Sequence, residues 1–148
     1  MSSISPSLMK AICEYARQHP ELAILGEAVV DDIAESLAAA YVKDRGSLWW
    51  WESLRSPFVT EAYGDNDGLG RVEEILGRLR GPFTLIITDD ERLPWEAVRG
   101  PLKTLVAMLR EHQCFEFCIV NDTLAWALFD THHNSLVVAG YVPGYQPE

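Results

Sequence analysis

The sequence predicts an α+β fold, with helices packed on a four- to five-stranded mixed sheet that ends in a C-terminal antiparallel meander. Three observations predict it. Cys114–Val120, Leu124–Phe129 and Ser135–Tyr141 are apolar runs of six or seven residues, separated by Asn121-Asp122-Thr123 and by Asp130–Asn134. Runs of that length, rich in Phe, Val, Ile and Trp and bounded by turn formers, read as consecutive strands. Phe83–Thr88 is an unbroken apolar run after Gly81-Pro82, the pattern of a strand covered on both faces. Four further stretches space their apolar residues three or four apart, as amphipathic helices do.

The elements follow in chain order. Ser5-Pro6 opens a first helix, with Ser as cap and Pro at the first helical position, and Leu8, Ile12, Tyr15 and Ala16 share one face. His19-Pro20 ends it, because a residue before proline is pushed out of the helical region. A second helix is expected from Glu27 to Asp44, with Val30, Ile33, Leu37 and Tyr41 on its apolar face and Gly46 as its stop. Asp31, Asp32 and Glu35 lie in its N-terminal half, on the favourable side of the helix dipole. The third helix spans Gly68–Arg80, with Leu69, Val72, Leu76 and Leu79 facing inward, and Gly81-Pro82 breaks it. A fourth begins at Gly100-Pro101 and buries Leu102, Leu105, Val106 and Leu109. It is expected to join Phe83–Thr88 to Cys114–Val120 as a right-handed β-α-β crossover. The tail Val142–Glu148, with three Pro or Gly residues, reads as loose.

All 148 residues fit one domain, helical over 5–80 and β-α-β plus meander over 83–141, large enough to bury roughly two-thirds of its unfolded surface. Hydrophobic and charged fractions of 48% and 23% match an ordinary globular chain rather than a disordered one. No apolar run approaches the ~20 residues of a bilayer span, and MSSISPSLMKAICEYA lacks the basic-then-apolar pattern of a signal peptide. Three irregularly spaced cysteines suit neither a disulfide framework nor a zinc ribbon, so a reduced cytoplasmic setting is expected. The net charge of −10 is even: eight basic and 13 acidic groups in residues 1–80, four and nine in 81–148, −5 from each part. Such a surface repels phosphate backbones, which argues against nucleic-acid partners, and it speeds encounter with a basic protein.

Several residues are candidates for function. Trp49, Trp50 and Trp51 cannot share a face: they alternate in a strand and fan through about 200° in a helix. They either seal the contact between helices and sheet or supply interface anchors; a fifth strand and a homodimer contact are the alternatives for the segment. Asp65 and Asp67 have the spacing that opens a calcium loop, but the position for its closing acid falls within a helix, so a polar loop is the simpler assignment. Asp89, Asp90 and Glu91 follow the buried strand, where sheets place functional loops; with Asp65 and Asp67 they form a candidate acidic recognition surface. Asp130, His132 and His133 are the alternative metal set, although adjacent histidines in a turn usually diverge, unlike an i, i+4 pair on a helix. There is no G-x-S-x-G elbow, phosphate loop or dinucleotide glycine pattern, and Cys13, Cys114 and Cys118 lie in apolar elements. No cofactor and no catalytic residue are therefore expected.

The segment SLWWWESL, with LPWEAVRG and the terminal hairpin carrying Trp126, Leu128 and His132-His133-Asn134, resembles small bacterial proteins that pair a W-W-E-S-L segment with such a hairpin. In size, acidity and fold class the chain is similar to the immunity proteins of bacterial toxin systems. That resemblance implies a protein partner, a basic toxin domain, bound directly. The alternatives are a metal-dependent hydrolase, a homodimeric adaptor, and a nucleic-acid mimic, for which −10 is a modest charge.

Overall fold

The computed structural model describes residues 6–44, 50–55, 58–63, 68–88, 95–112, 116–131 and 135–145. Its elements are α1 (Pro6–Gln18), β1 (Ala23–Ile24), α2 (Glu27–Tyr41), a 3₁₀ turn (Trp50–Glu52), β2 (Phe58–Ala62), α3 (Gly68–Leu76), β3 (Phe83–Ile87), β4 (Glu96–Gly100), α4 (Leu102–Glu111), β5 (Phe117–Val120), β6 (Trp126–Asp130) and β7 (Ser135–Gly140). The seven described strands form one sheet, ordered β1-β4-β3-β5-β6-β7-β2, and every pairing is antiparallel.

The α+β class and the β5-β6-β7 meander agree with expectation, whereas the mixed sheet of four or five strands does not. The difference lies in Glu96–Gly100. The sequence marks Leu93-Pro94-Trp95 as an irregular segment and predicts no element over Glu96–Gly100. Yet its residues alternate: Ala97 enters one core cluster and Val98 the other. The added strand reverses the chain once more, so β5 runs antiparallel to β3 rather than parallel. A crossover survives in another place: α4 joins β4 to β5, which are mutually parallel with β3 between them. The strand expected near the tryptophans forms just after them, as β2, an outer strand paired with β7.

Alternation along the strands makes two cores. Leu85, Ile87, Phe117, Ile119, Trp126, Leu128, Leu136 and Val138 face α1, α3 and α4. Ile86, Cys118, Val120, Ala127, Phe129, Val137 and Ala139 face α2 and the Trp50–Leu54 segment. Burial raises the pKa of the Cys118 thiol, which suits its behaviour as a small apolar side chain.

Two helices stop early for local reasons. α2 ends at Tyr41 because Val42 turns into a bridge with Leu54, flanked by Lys43 N–H to Ser53 O at 2.7 Å and Arg55 N–H to Tyr41 O at 2.8 Å. α3 ends before Gly77, where any Cβ would meet the Glu73 carbonyl at 2.4 Å. Of the tail expected to be loose, the described residues 142–145 are held: Val142 is buried, Arg78 donates to the Gly144 carbonyl at 3.1 Å, and the Tyr145 hydroxyl donates to Glu61 at 3.1 Å.

Candidate functional site

Antiparallel register brings Ile87, Phe117, Asp130, Ser135 and Ala62 to one end of the sheet. Polar residues are buried there among apolar ones: Glu61, Thr88, Glu116, Asp130, Thr131 and Ser135. Asp130, the last residue of β6, accepts a hydrogen bond from the Tyr63 hydroxyl at 2.8 Å. Burial pushes its carboxyl up to about 6; Glu116 adds to the rise, while the Tyr63 bond opposes it. The Tyr63 phenol is itself raised, first by burial and then by Asp130, and so stays a donor. Gly68 sets the ring's position, since a Cβ there would stand 2.7 Å from it.

Beside it, Glu61 is held in a two-point contact by Arg71: Nε donates to Oε2, and Nη2 to Oε1 at 2.9 Å. The guanidinium also lies 5.9 Å from the Tyr145 ring centroid. The cluster thus ties β2, β6, α3 and the chain end together. Among the described residues no three His, Cys, Asp or Glu side chains gather as metal ligands do.

Of the sequence-predicted residues, Trp49, Asp65, Asp67, Asp89, Asp90, Glu91, His132 and His133 lie outside the described residues. Tyr63, Thr88 and Thr131, which are described, all end at the Asp130 end of the sheet. Trp51 is half-buried against the α2-side core. Trp50 is only 6% exposed, a correction to its candidacy as a surface anchor. The 3₁₀ turn and the Val42–Leu54 bridge fold its indole inward, edge-on to Trp95 with ring centroids 4.7 Å apart. Trp50 therefore seals α2 against the sheet.

Trp95 is buried as well, and among the described residues its Nε1 meets no acceptor. Trp95→Phe is expected to cost less than about 1 kcal/mol, because lost ring contacts are offset by removing a donor whose burial costs about 1–3 kcal/mol. Urea denaturation checks this. A loss well above that bound would mean the indole N–H is bonded in solution.

A feature the sequence reading passed over lies at the other end of the sheet. α2 buries Val30, Ala34, Leu37 and Ala38, but Val29, Asp32, Ile33 and Ser36 form a second stripe at helical spacing. That stripe, Leu25 and the chain around Leu124 enclose a groove of about 310 Å³, with Thr84 and Val120 on its sheet side. The far wall is braced. Tyr41 Oη donates to the Leu124 carbonyl, Ala125 N–H to Asn121 Oδ1 at 2.9 Å, and Arg99 grips Asp122 at 2.7 and 3.3 Å. Leu124 is held at φ 55°, a left-handed conformation uncommon outside glycine and asparagine. The pair Val29 and Ile33 was visible in the sequence as helical spacing. What it lines was not, because Thr84, Val120 and Leu124 are far away in the chain.

No described helix is long and apolar enough to cross a membrane. Compared with protein-family models, curated proteins and solved structures, the chain matches none.

Proposed function

We propose that this chain is a non-enzymatic cytosolic binding protein that neutralises a cognate bacterial toxin by direct contact with a basic toxin domain. One observation carries the reading: the distribution of acid charge. α2 holds Glu27, Asp31, Asp32 and Glu35 without a single Lys or Arg, and all four are exposed. The buried acids Glu61 and Asp130, by contrast, are engaged in joining structural elements. Charge placed outward in this way steers a basic surface into contact and accelerates encounter more than it tightens the final complex.

The test is purification with its partner from the native host, followed by association kinetics. The expected partner is a basic protein whose activity the chain abolishes at equimolar amounts. Its association rate should fall by about tenfold or more from low to high salt, with dissociation little changed. Recovery of no basic partner, or a rate indifferent to salt, would overturn the proposal.

The rival is a metal-dependent hydrolase using Asp130 with His132 and His133. It is favoured by one observation: Asp130 is a carboxyl buried at the end of β6, and burial pushes it up to about 6. Stoichiometric zinc or manganese that is lost on His132→Ala would decide for it.

A further inference from the structure

We propose that the groove between α2 and the 121–124 turn seats an arginine side chain of a basic protein segment. The inference deepens the binding reading and rests on it, naming the surface and the chemistry that the partner must present. The groove offers two things together. Its apolar lining is Leu25, Val29, Ile33 and Leu124, and Val29 is 49% exposed, a large share for a valine held on a well-packed helix. Asp32 stands among these residues and, like Asp31, enters no ion pair among the described residues.

Apolar lining beside an exposed carboxylate matches a side chain with a long aliphatic stem and a cationic head. Arginine fits better than lysine, because its weakly hydrated planar guanidinium pairs with a carboxylate while lying on apolar surface. At about 310 Å³ the groove also has space for an apolar neighbour of that arginine. Glu27 and Asp31, on the same helix but outside the lining, add to its overall negative charge. The groove's own cation, Arg99, is paired with Asp122 at 2.7 Å, which offsets its repulsion of a newcomer. An acidic segment or a nucleic acid is disfavoured by the same charges. The braced 121–124 wall needs little ordering upon binding, which lowers the entropic cost of the contact.

Another concavity, of about 590 Å³, is lined by Gly77, Gly81 and Gly100 together with Leu79, Phe83 and Leu102. Its lining holds one acid, Glu21, against the two of the α2 groove, Asp32 and Asp122.

The experiment is a backbone amide shift titration of the full chain with the capped peptide Ac-Ala-Leu-Arg-Leu-Arg-Ala-NH₂. The Glu-for-Arg peptide and spermine are run beside it. Saturable shifts are expected around Val29, Asp32, Ile33, Ser36 and Asn121–Leu124, fading at high salt and absent with the Glu peptide. Asp32→Asn and Val29→Lys, both at exposed positions and checked for an unchanged spectrum elsewhere, should each weaken binding by roughly fivefold or more. Glu14→Gln, on a helix of the opposite layer, should not. Scattered shifts, shifts at the Asp130 end, indifference to both groove variants, or an equal response to spermine would overturn the proposal. Failures of the two proposals are separable. A toxin neutralised with unchanged affinity by Asp32→Asn and Val29→Lys sinks the groove and leaves the immunity reading standing. Peptide seated in the groove with no toxin partner in the host does the reverse.

Discussion

Arg71→Met is expected to destabilise the protein by about 3–5 kcal/mol, the cost of leaving a buried charge without its partner. Glu61 is 6% exposed and Arg71 half-buried, and the pair meets through two hydrogen bonds. Methionine matches the length of the arginine stem but offers no donor. The Glu61 carboxylate would keep the Tyr145 hydroxyl but lose its two-point contact with the guanidinium. A single domain is stable by only about 5–15 kcal/mol, so this loss is a large share of the total. The damage should begin locally. Among the described strands β2 is an outer one paired with β7 alone, with Phe58 and Val59 exposed, and Glu61 is its inward anchor. Guanidinium denaturation measures the loss, and hydrogen exchange should show β2 amides opening first. Adding Glu61→Gln to Arg71→Met removes the stranded charge and should restore most of the stability. If Arg71→Met costs under about 1 kcal/mol, the carboxylate is reached by water and the contact is a surface one.

The second large effect is a dependence on pH. The Asp130 carboxyl is raised from an ordinary value of 3.8 to about 6, chiefly by burial. An acid whose folded pKa lies above its unfolded value binds its proton more tightly when folded. This contribution is therefore fully present below about pH 4. It is lost as pH rises toward 6, because the unfolded chain releases its proton first. A shift of roughly two pKa units corresponds to about 3 kcal/mol. Other carboxylates titrate over the same range, so the clean observable is a difference between two proteins. Asp130→Asn keeps an oxygen for the Tyr63 hydroxyl and cannot ionise. Relative to the wild type it should gain about 3 kcal/mol between pH 4 and pH 7. Tyr63→Phe tests the cause. Since the phenol's bond favours the ionised form, removing it should raise the Asp130 pKa further and carry the loss to higher pH. A flat difference between Asp130→Asn and wild type would mean that water solvates this carboxyl.

Neither effect was legible in the chain itself. Glu61 falls in a polar-looking stretch, Arg71 ten positions further on in a helix, and Tyr145 in a tail that composition marks as loose. Their meeting depends on β2 pairing with β7 and on α3 lying over that edge. Asp130 reads equally well as a turn former or a ligand. Only its place at the end of β6, under Tyr63, makes it a buried acid. The three tryptophans had two readings, and for Trp50 it was the bridge between Val42 and Leu54 that decided.

What the sequence by itself determined is the four helices, β3 and the C-terminal meander; β1 and β4 were not among them. Helical spacing places α1 to α4, alternation pairs Trp126 with Leu128 and Ala127 with Phe129, and Asn121–Thr123 marks the turn. These are short-range properties, written in spacings of two to four residues. What only the tertiary structure decided is the strand order, the direction of β5 against β3, the burial of Trp50 and Asp130, and the groove beside α2. Each depends on residues far apart in the chain arriving together, and no local period records which distant surface covers a given face.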